Sequence, residues 1–396
     1  MTSPLSGIKV LDLTHVLAGP FCTYMLAVHG ADVLKIEDPR RPDGVRGRGA
    51  DAHLNQALMG TNYLTQGANK RAMTLNLKTP EGQRVFRALA RDADIVVENY
   101  RANAMAELGL DYEQLSKTNP KLIYCSMTGF GHGGPRSEVN AYDNTIQAAS
   151  GLMAMTGLAG SGPVKVGASI IDYAAGLSAA FAVTLAVTQR QTTGLGCHID
   201  CSMLDTAMTL MGTQVTAHYA GAPTPVPKGN NQSESGLGCY ETADGKLMLG
   251  AFNARQHERL WTALNRPDFA ALSSWDEMHA HANTMREVLI KEFATRSVDD
   301  LELWLHGLGI PAERVRTIDE GLAIVEKQGR RLTAELPMHD SGGKPVRVPL
   351  APFTLSRGTA EIRSIPPRFG EHTDAVLSSL GYDPETILAL RAQGAV

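Results

Sequence analysis

The sequence predicts an α/β fold, with a mostly parallel sheet covered by helices on both faces and a smaller α+β domain late in the chain. Two observations predict it. Short apolar runs alternate with helical patterns through the first half, and that style changes after about residue 200.

Residues 8–13 read as the first strand. The loop Thr14-His15-Val16-Leu17-Ala18-Gly19-Pro20 leads into a helix with Phe21, Met25 and Val28 on one face. Gly30 ends that helix, and residues 31–37 give a second strand. Residues 72–77 form a third. Thr79 then supplies an N-cap and Pro80 the first helical position of a helix running to residue 91. Residues 95–100 and 122–127 supply two more strands, and residues 205–219 read as a helix. Residues 221–238 are rich in Pro, Gly and polar side chains, which suits a linker or mobile loop. Residues 240–330, with Trp261, Trp275 and Trp304, read as the smaller unit, and the tail returns to short strands and helical turns. The expected organisation is therefore a large domain over 1–220, linker and small domain over 221–330, and a returning C-terminal part over 331–396.

Bulk properties exclude several classes. The net charge of −4 offers no global positive field for nucleic acid or an anionic membrane, so a phosphate-bearing ligand needs a local basic cluster. The first seven residues have neither a basic start nor the apolar stretch of a secretory signal, so a cytoplasmic location is expected. The apolar run between Asp172 and Arg190 falls short of the roughly 20 residues a spanning helix needs and is rich in small residues, which predicts a buried core helix and no membrane span. Five cysteines, an odd count without zinc-site spacing, predict free thiols and no metal.

The strand–loop–helix–strand opening with Glu37 ending the second strand invites a dinucleotide-binding reading. The loop carries Val16 and Leu17 where bare backbone must approach a pyrophosphate, which argues against NAD. The run from Gly129 to Pro135 is glycine-rich but lacks the Lys-Ser or Lys-Thr of a phosphate-binding loop, so a tight turn is expected there. Asp172, in VGASIIDYAAGL (166–177), is placed at a helix N-terminus, where N–H groups and the dipole favour its ionised form. Ala174, Ala175 and Gly176 leave room for a bulky ligand. From the residues alone an ordinary N-cap is the favoured reading of this aspartate, ahead of a nucleophile. His15, His132 and His372 are the loop histidines, none with a partner in local sequence. Arg40, Arg41, Arg46, Arg48, Lys70, Arg71, Lys78 and Arg101 cluster mostly after strand ends, where an open α/β sheet binds ligands.

Taken together and in order, several segments resemble the class III coenzyme A transferases, the family of formyl-CoA transferase and succinyl-CoA:glutarate CoA-transferase. They are GIKVLDLTHVLAGP (7–20), GADVLKIE (30–37), NKR (69–71), LNLKTPEG (75–82), VENY (97–100), YCSMTGFG (124–131), AYD (141–143), the Asp172 segment and GEHTD (370–374). The resemblance implies a Rossmann-like large domain built from both chain ends, a small domain, and a homodimer whose chains interlock like links. It implies acyl-CoA and a small carboxylic acid as substrates, with no tightly bound cofactor.

It makes Asp172 the catalytic carboxylate, acylated through a mixed anhydride and an aspartyl-CoA thioester. It assigns CoA contacts to His15, Val16, Leu17 and Ala18, to Leu75 and Lys78, to Asn99, Tyr100 and Arg101, and to Asn140, Tyr142 and Asp143. Succinyl-CoA is the expected donor and a small dicarboxylic acid the acceptor. Three departures stand out. Asp38 occupies a basic position, so Arg40 or Arg41 is expected to replace that contact. Glu107 occupies another. Arg46-Gly47-Arg48-Gly49 replaces an Arg-x-Trp-Gly pattern, which leaves Arg48 to pair with a distal substrate carboxylate. A shielding glycine loop maps onto 229–238, placing Gly236 and Gly238 beside substrate.

Two other functions fit the same residues. A 2-methylacyl-CoA racemase on this fold tends to carry His where this chain has Tyr142, and a phenol is a poor substitute for that imidazole as a base. A non-catalytic nucleotide-binding module predicts CoA binding that is indifferent to Asp172.

Overall fold

The computed structural model describes residues 3–338 and 345–396. Residues 1–2, on which the expectation about a leader partly rests, and residues 339–344 of the expected C-terminal part lie outside the described residues. The chain divides into two compact units. The first comprises Met1–Leu152, Lys165–Pro223 and Arg331–Val396, and the second Met153–Val164 and Thr224–Arg330. Residues 153–164, which the sequence reading assigns to the large domain, thus group with the smaller unit.

The first unit is built on strands β1 (Lys9–Asp12), β2 (Asp32–Glu37), β3 (Lys70–Thr74), β4 (Ile95–Glu98), β5 (Ile123–Thr128) and β6 (His198–Ser202). They form one sheet in the order β3-β2-β1-β4-β5-β6, and every pairing is parallel. Chain direction of growth reverses between β1 and β4. In such sheets ligands bind outside the carboxyl ends of the strands at this switch point.

Both faces of the sheet are buried, as apolar strands without polar alternation require. Val10, Val33, Val97 and Cys125 point to one core, with helices α1 (Ala18–Val28) and α2 (Thr61–Gly67). Leu11, Leu34, Val96 and Tyr124 point to the other, under α3 (Pro80–Arg91). The C-terminal residues Val376, Ile387 and Leu390 join that second core, so the chain end does return to the first unit. Further along lie α4 (Asp143–Ser150), α5 (Ile170–Thr193) and α6 (Met203–Leu210).

Several boundaries differ from expectation. β3 starts at Lys70 because that side chain is buried against β1, and it ends at Thr74 where the chain turns towards Asn76. β4 stops at Glu98, whose carboxyl accepts the Tyr100 N–H at 2.9 Å. The helix expected over 205–219 is two helices, Met203–Leu210 and Gly212–Tyr219, parted at Met211.

Helix α5 packs its small residues on α1. A Cβ at Gly176 falls 2.7 Å from the Ala18 carbonyl oxygen and 3.0 Å from the Phe21 ring. Only one face is covered, however: Leu177, Phe181 and Leu185 are exposed, Phe181 at 65%. The expectation of a buried core helix is corrected to a half-covered one, and α5 is long and apolar enough to cross a membrane by length and composition.

The second unit holds an antiparallel sheet of Leu237–Glu241, Lys246–Gly250 and Ala312–Arg314. Helices supply its core around the buried Trp261, Leu289, Phe293 and Leu305.

Candidate active site

The site begins with a set of charges buried beneath the loop after β1. Asp12 is fully buried and accepts from Thr14 N–H (3.0 Å), the Thr23 hydroxyl (2.7 Å) and the Lys70 ammonium (2.9 Å). Burial alone would raise its pKa; Lys70 and then Lys35 outweigh that and hold it down to about 2. Lys35 donates to the Thr14 carbonyl at 2.7 Å and to Asp43 at 3.0 Å.

These groups fix the loop backbone. Asp43 accepts the Val16 N–H at 3.1 Å, and Gln66 donates to the Val16 carbonyl at 2.7 Å. The Asn99 amide clasps His15 at both backbone ends, accepting at 2.9 Å and donating at 2.8 Å. Val16 is thereby held at φ +70, a left-handed conformation that a β-branched residue adopts at a cost of about 1–3 kcal/mol. The surrounding hydrogen bonds over-determine it.

The result is a cavity of about 830 Å³ at the switch point, lined by His15, Val16, Leu17 and Ala18. Leu75 and Lys78 after β3 also line it, as do Asn99, Tyr100 and Arg101 after β4. Asn140 and Tyr142, and Asp172 on α5, complete the set of expected residues that meet there. Burial holds the His15 imidazole below its ordinary pKa, against the opposing pull of Asp43, and its ring lies 5.4 Å from that of Tyr100.

Five expected residues do not line the cavity. Arg40 is turned back onto Asp38 through two guanidinium contacts of 3.1 and 2.9 Å; Arg41 lines the wall instead. Arg48 is exposed and off the wall. Its neighbour Arg46 is buried and grips both oxygens of Glu37, which leaves that carboxylate no capacity for a ribose. Gly236 and Gly238 belong to the second unit, where packing accounts for both: a Cβ would lie 2.4 Å from the Ala251 carbonyl and 2.7 Å from Asn231.

Asp143, the fifth, acts on the site through Asp172's own backbone. Its Oδ2 accepts the N–H groups of Ile171 (2.7 Å) and Asp172 (3.2 Å), while Oδ1 accepts from Gln147 at 2.6 Å. Asp172 does sit in the first turn of α5, as its sequence predicts. The expectation that the helix start favours its ionised form is corrected. Burial first, and the Asp143 charge second, push the Asp172 carboxyl up to about 7; the N–H groups of Ile171 and Asp172 donate to Asp143. Gly176 serves the α1 contact, so it leaves no ligand space of the kind expected there.

Asp43, Met127, Thr128 and Met203 also line the cavity, beyond the residues expected from the sequence. Thr128 had a usable signal, since it ends a strand at the ligand-binding edge; Asp43 and Met203 had none in local pattern. Gly131 and Gly133 adopt φ +79 and +74 in the expected tight turn, and Gly129 lines the cavity.

Comparison with known proteins identifies the family and the fold. The profile of CoA-transferase family III matches residues 5–373. The chain is 34% identical over 391 residues to succinate–glutarate CoA-transferase of Agrobacterium fabrum, covering 95% of this chain and 96% of that one. It is 32% identical over 426 residues to formyl-CoA:oxalate CoA-transferase of Shigella sonnei, covering the whole of both. The crystal structure of a CAIB/BAIF family protein from Brucella suis superposes with a TM-score of 0.81 at 28% identity, covering 96% of this chain and 100% of that one. The carboxylate-bearing cavity at the switch point therefore lies in an enzyme that belongs to CoA-transferase family III.

Proposed function

We propose that the enzyme moves CoA from an acyl-CoA to a free carboxylic acid through covalent intermediates on Asp172. The observation that carries this reading is a half-buried carboxyl in the first turn of α5 opening on a cavity whose wall also bears Arg41, Lys78 and Arg101. The cations suit the phosphates of coenzyme A, and the carboxyl suits attack on its thioester.

In this mechanism an Asp172 oxygen attacks the donor thioester carbonyl and the C–S bond breaks, giving a mixed anhydride and CoA thiolate. The thiolate attacks the aspartyl carbonyl, and the donor acid leaves as its carboxylate. The acceptor carboxylate then attacks the aspartyl-CoA thioester and expels the thiolate. Attack of that thiolate on the acceptor's acyl carbon releases the new acyl-CoA and regenerates Asp172. No net proton is consumed, and the overall exchange trades one CoA thioester for another of similar energy.

Succinyl-CoA is the proposed donor and a small dicarboxylic acid the acceptor, on the strength of the named activities of the relatives. The exposed face of α5 supports a homodimer with interlocked chains, and free thiols at Cys22, Cys125, Cys197, Cys201 and Cys239 support a cytoplasmic enzyme. The test is a panel of acyl-CoAs and free acids, with CoA exchange followed by mass spectrometry and hydroxylamine added to intercept the acyl-enzyme. Hydroxamate on the peptide holding Asp172 is expected. Exchange at full rate with no label on that peptide would remove the covalent mechanism.

A further inference from the structure

Among the three cations on the cavity wall, Arg101 differs from the other two. Arg41 and Lys78 have no side-chain ion pair among the described residues, whereas both ends of the Arg101 fork are occupied. One end holds Glu107, in the helical turn Ala104–Glu107, and the other donates to Glu138 at 3.0 Å. Asn103 also donates to Glu138. Glu138 belongs to the segment from Gly131 to Ala141, whose base is fixed by the His132 N–H on Asp200 at 2.9 Å. Its neighbours Ser137, Val139 and Asn140 line the cavity on one side, and Arg101, Ala104 and Glu107 line it too.

A guanidinium held by two carboxylates has its charge and both terminal nitrogens engaged, which disfavours a phosphate, and the two acids repel an incoming anion. We propose that Glu138 is an internal competitor for Arg101: it occupies the guanidinium in the resting enzyme, tethers the 131–141 segment across the cavity mouth, and is displaced by a phosphate group of the incoming acyl-CoA. Glu138 thus sets the affinity for the CoA moiety without touching the reacting atoms. This rests on the reading of the cavity as a coenzyme A site.

The side chains are about half exposed, Arg101 at 43%, Glu107 at 55% and Glu138 at 48%, so solvent screens the competition and its effect is modest. The experiment is calorimetric titration of coenzyme A into the full-length wild type, Glu138→Gln, Glu107→Gln, Arg101→Ala and the Arg101→Ala/Glu138→Gln double variant. Glu138→Gln is expected to bind about three- to fivefold more tightly than wild type, as expected for loss of an exposed ion pair. Glu107→Gln is expected to shift affinity in the same direction, and the gain from Glu138→Gln is expected to vanish when Arg101 is absent. Unchanged or weaker binding by Glu138→Gln, with wild type binding normally, overturns the proposal. A gain that persists without Arg101 also overturns it. Failure of wild type to bind coenzyme A would instead overturn the reading of the cavity on which the proposal stands.

Discussion

Asp143 accepts the backbone N–H of Asp172 at 3.2 Å while its charge opposes ionisation of that same residue's side chain. One carboxylate thus anchors the start of α5 and holds back its neighbour's negative charge. Replacing Asp143 with Asn keeps an acceptor oxygen for the helix N–H groups and removes the charge. The Asp172 pKa should then fall from about 7, though not to its ordinary value, because burial is the larger cause. The acid limb of the kcat/KM profile for CoA exchange is expected to move to lower pH in Asp143→Asn. An unmoved limb would show that the limb belongs to another group.

In the wild type the same pKa sets the rate below neutrality. A nucleophile with a pKa near 7 is about one-tenth ionised at pH 6, so kcat/KM is expected to rise roughly tenfold between pH 6 and pH 8. Steady-state kinetics across that range check it; a flat profile would mean that Asp172 stays ionised throughout.

Asp172→Asn should lower exchange by roughly 10⁴-fold or more, in the range seen when a covalent nucleophile is removed. Stability should move the other way. The folded-state pKa of Asp172 is raised, so the folded protein binds its proton more tightly than the unfolded chain, and this group's contribution falls as pH rises from about 4 to about 7. Asparagine has no such loss. The variant should match wild type near pH 4 and exceed it above pH 7 by about 1–2 kcal/mol after discounting for solvent screening. Urea unfolding at the two pH values measures the difference.

The strand pattern was legible because each strand is a short apolar run between turn residues, and the parallel sheet follows from helices placed between them. Asp172 was legible as a helix-start residue for the same local reasons. The functional contacts were not. Asp143 meets Ile171 across 28 positions, Gln66 meets Val16 across 50, and Lys70 meets Asp12 across 58. No periodicity encodes such pairings, because they arise only when strand order brings carboxyl ends together. Gly176 illustrates a related point: a lack of bulk fits a ligand or a packed helix equally well, and the backbone of α1 decides between them.

Gly176→Val tests that decision. A Cβ there meets backbone, the Ala18 carbonyl at 2.7 Å and the Cys22 nitrogen at 3.3 Å, which has little freedom to yield. Separating α5 from α1 should cost about 1–3 kcal/mol as overpacking. Because Ala18 and Asp172 both line the cavity, CoA affinity should fall as well. Thermal unfolding and calorimetric binding read the two effects; loss of neither would show that α1 and α5 adjust freely.

The uncovered face of α5 makes the last prediction. Leu177, Phe181 and Leu185 recur every four residues, so they form one apolar stripe on the side away from α1, and Phe181 and Leu185 are more than half exposed. In water such a stripe needs a partner. A second copy of the chain satisfies it without disturbing the packed face, whereas a bilayer would have to accept a helix already joined along one side to a protein core. If the proposed homodimer forms through this stripe, Phe181→Glu and Leu185→Glu together should keep newly made chains from assembling, seen as monomers by light scattering after size exclusion, with loss of exchange activity where the site is completed only in the dimer. A wild type that is monomeric at micromolar concentration would defeat the interlocked arrangement. A variant that stays dimeric would move the interface to another face.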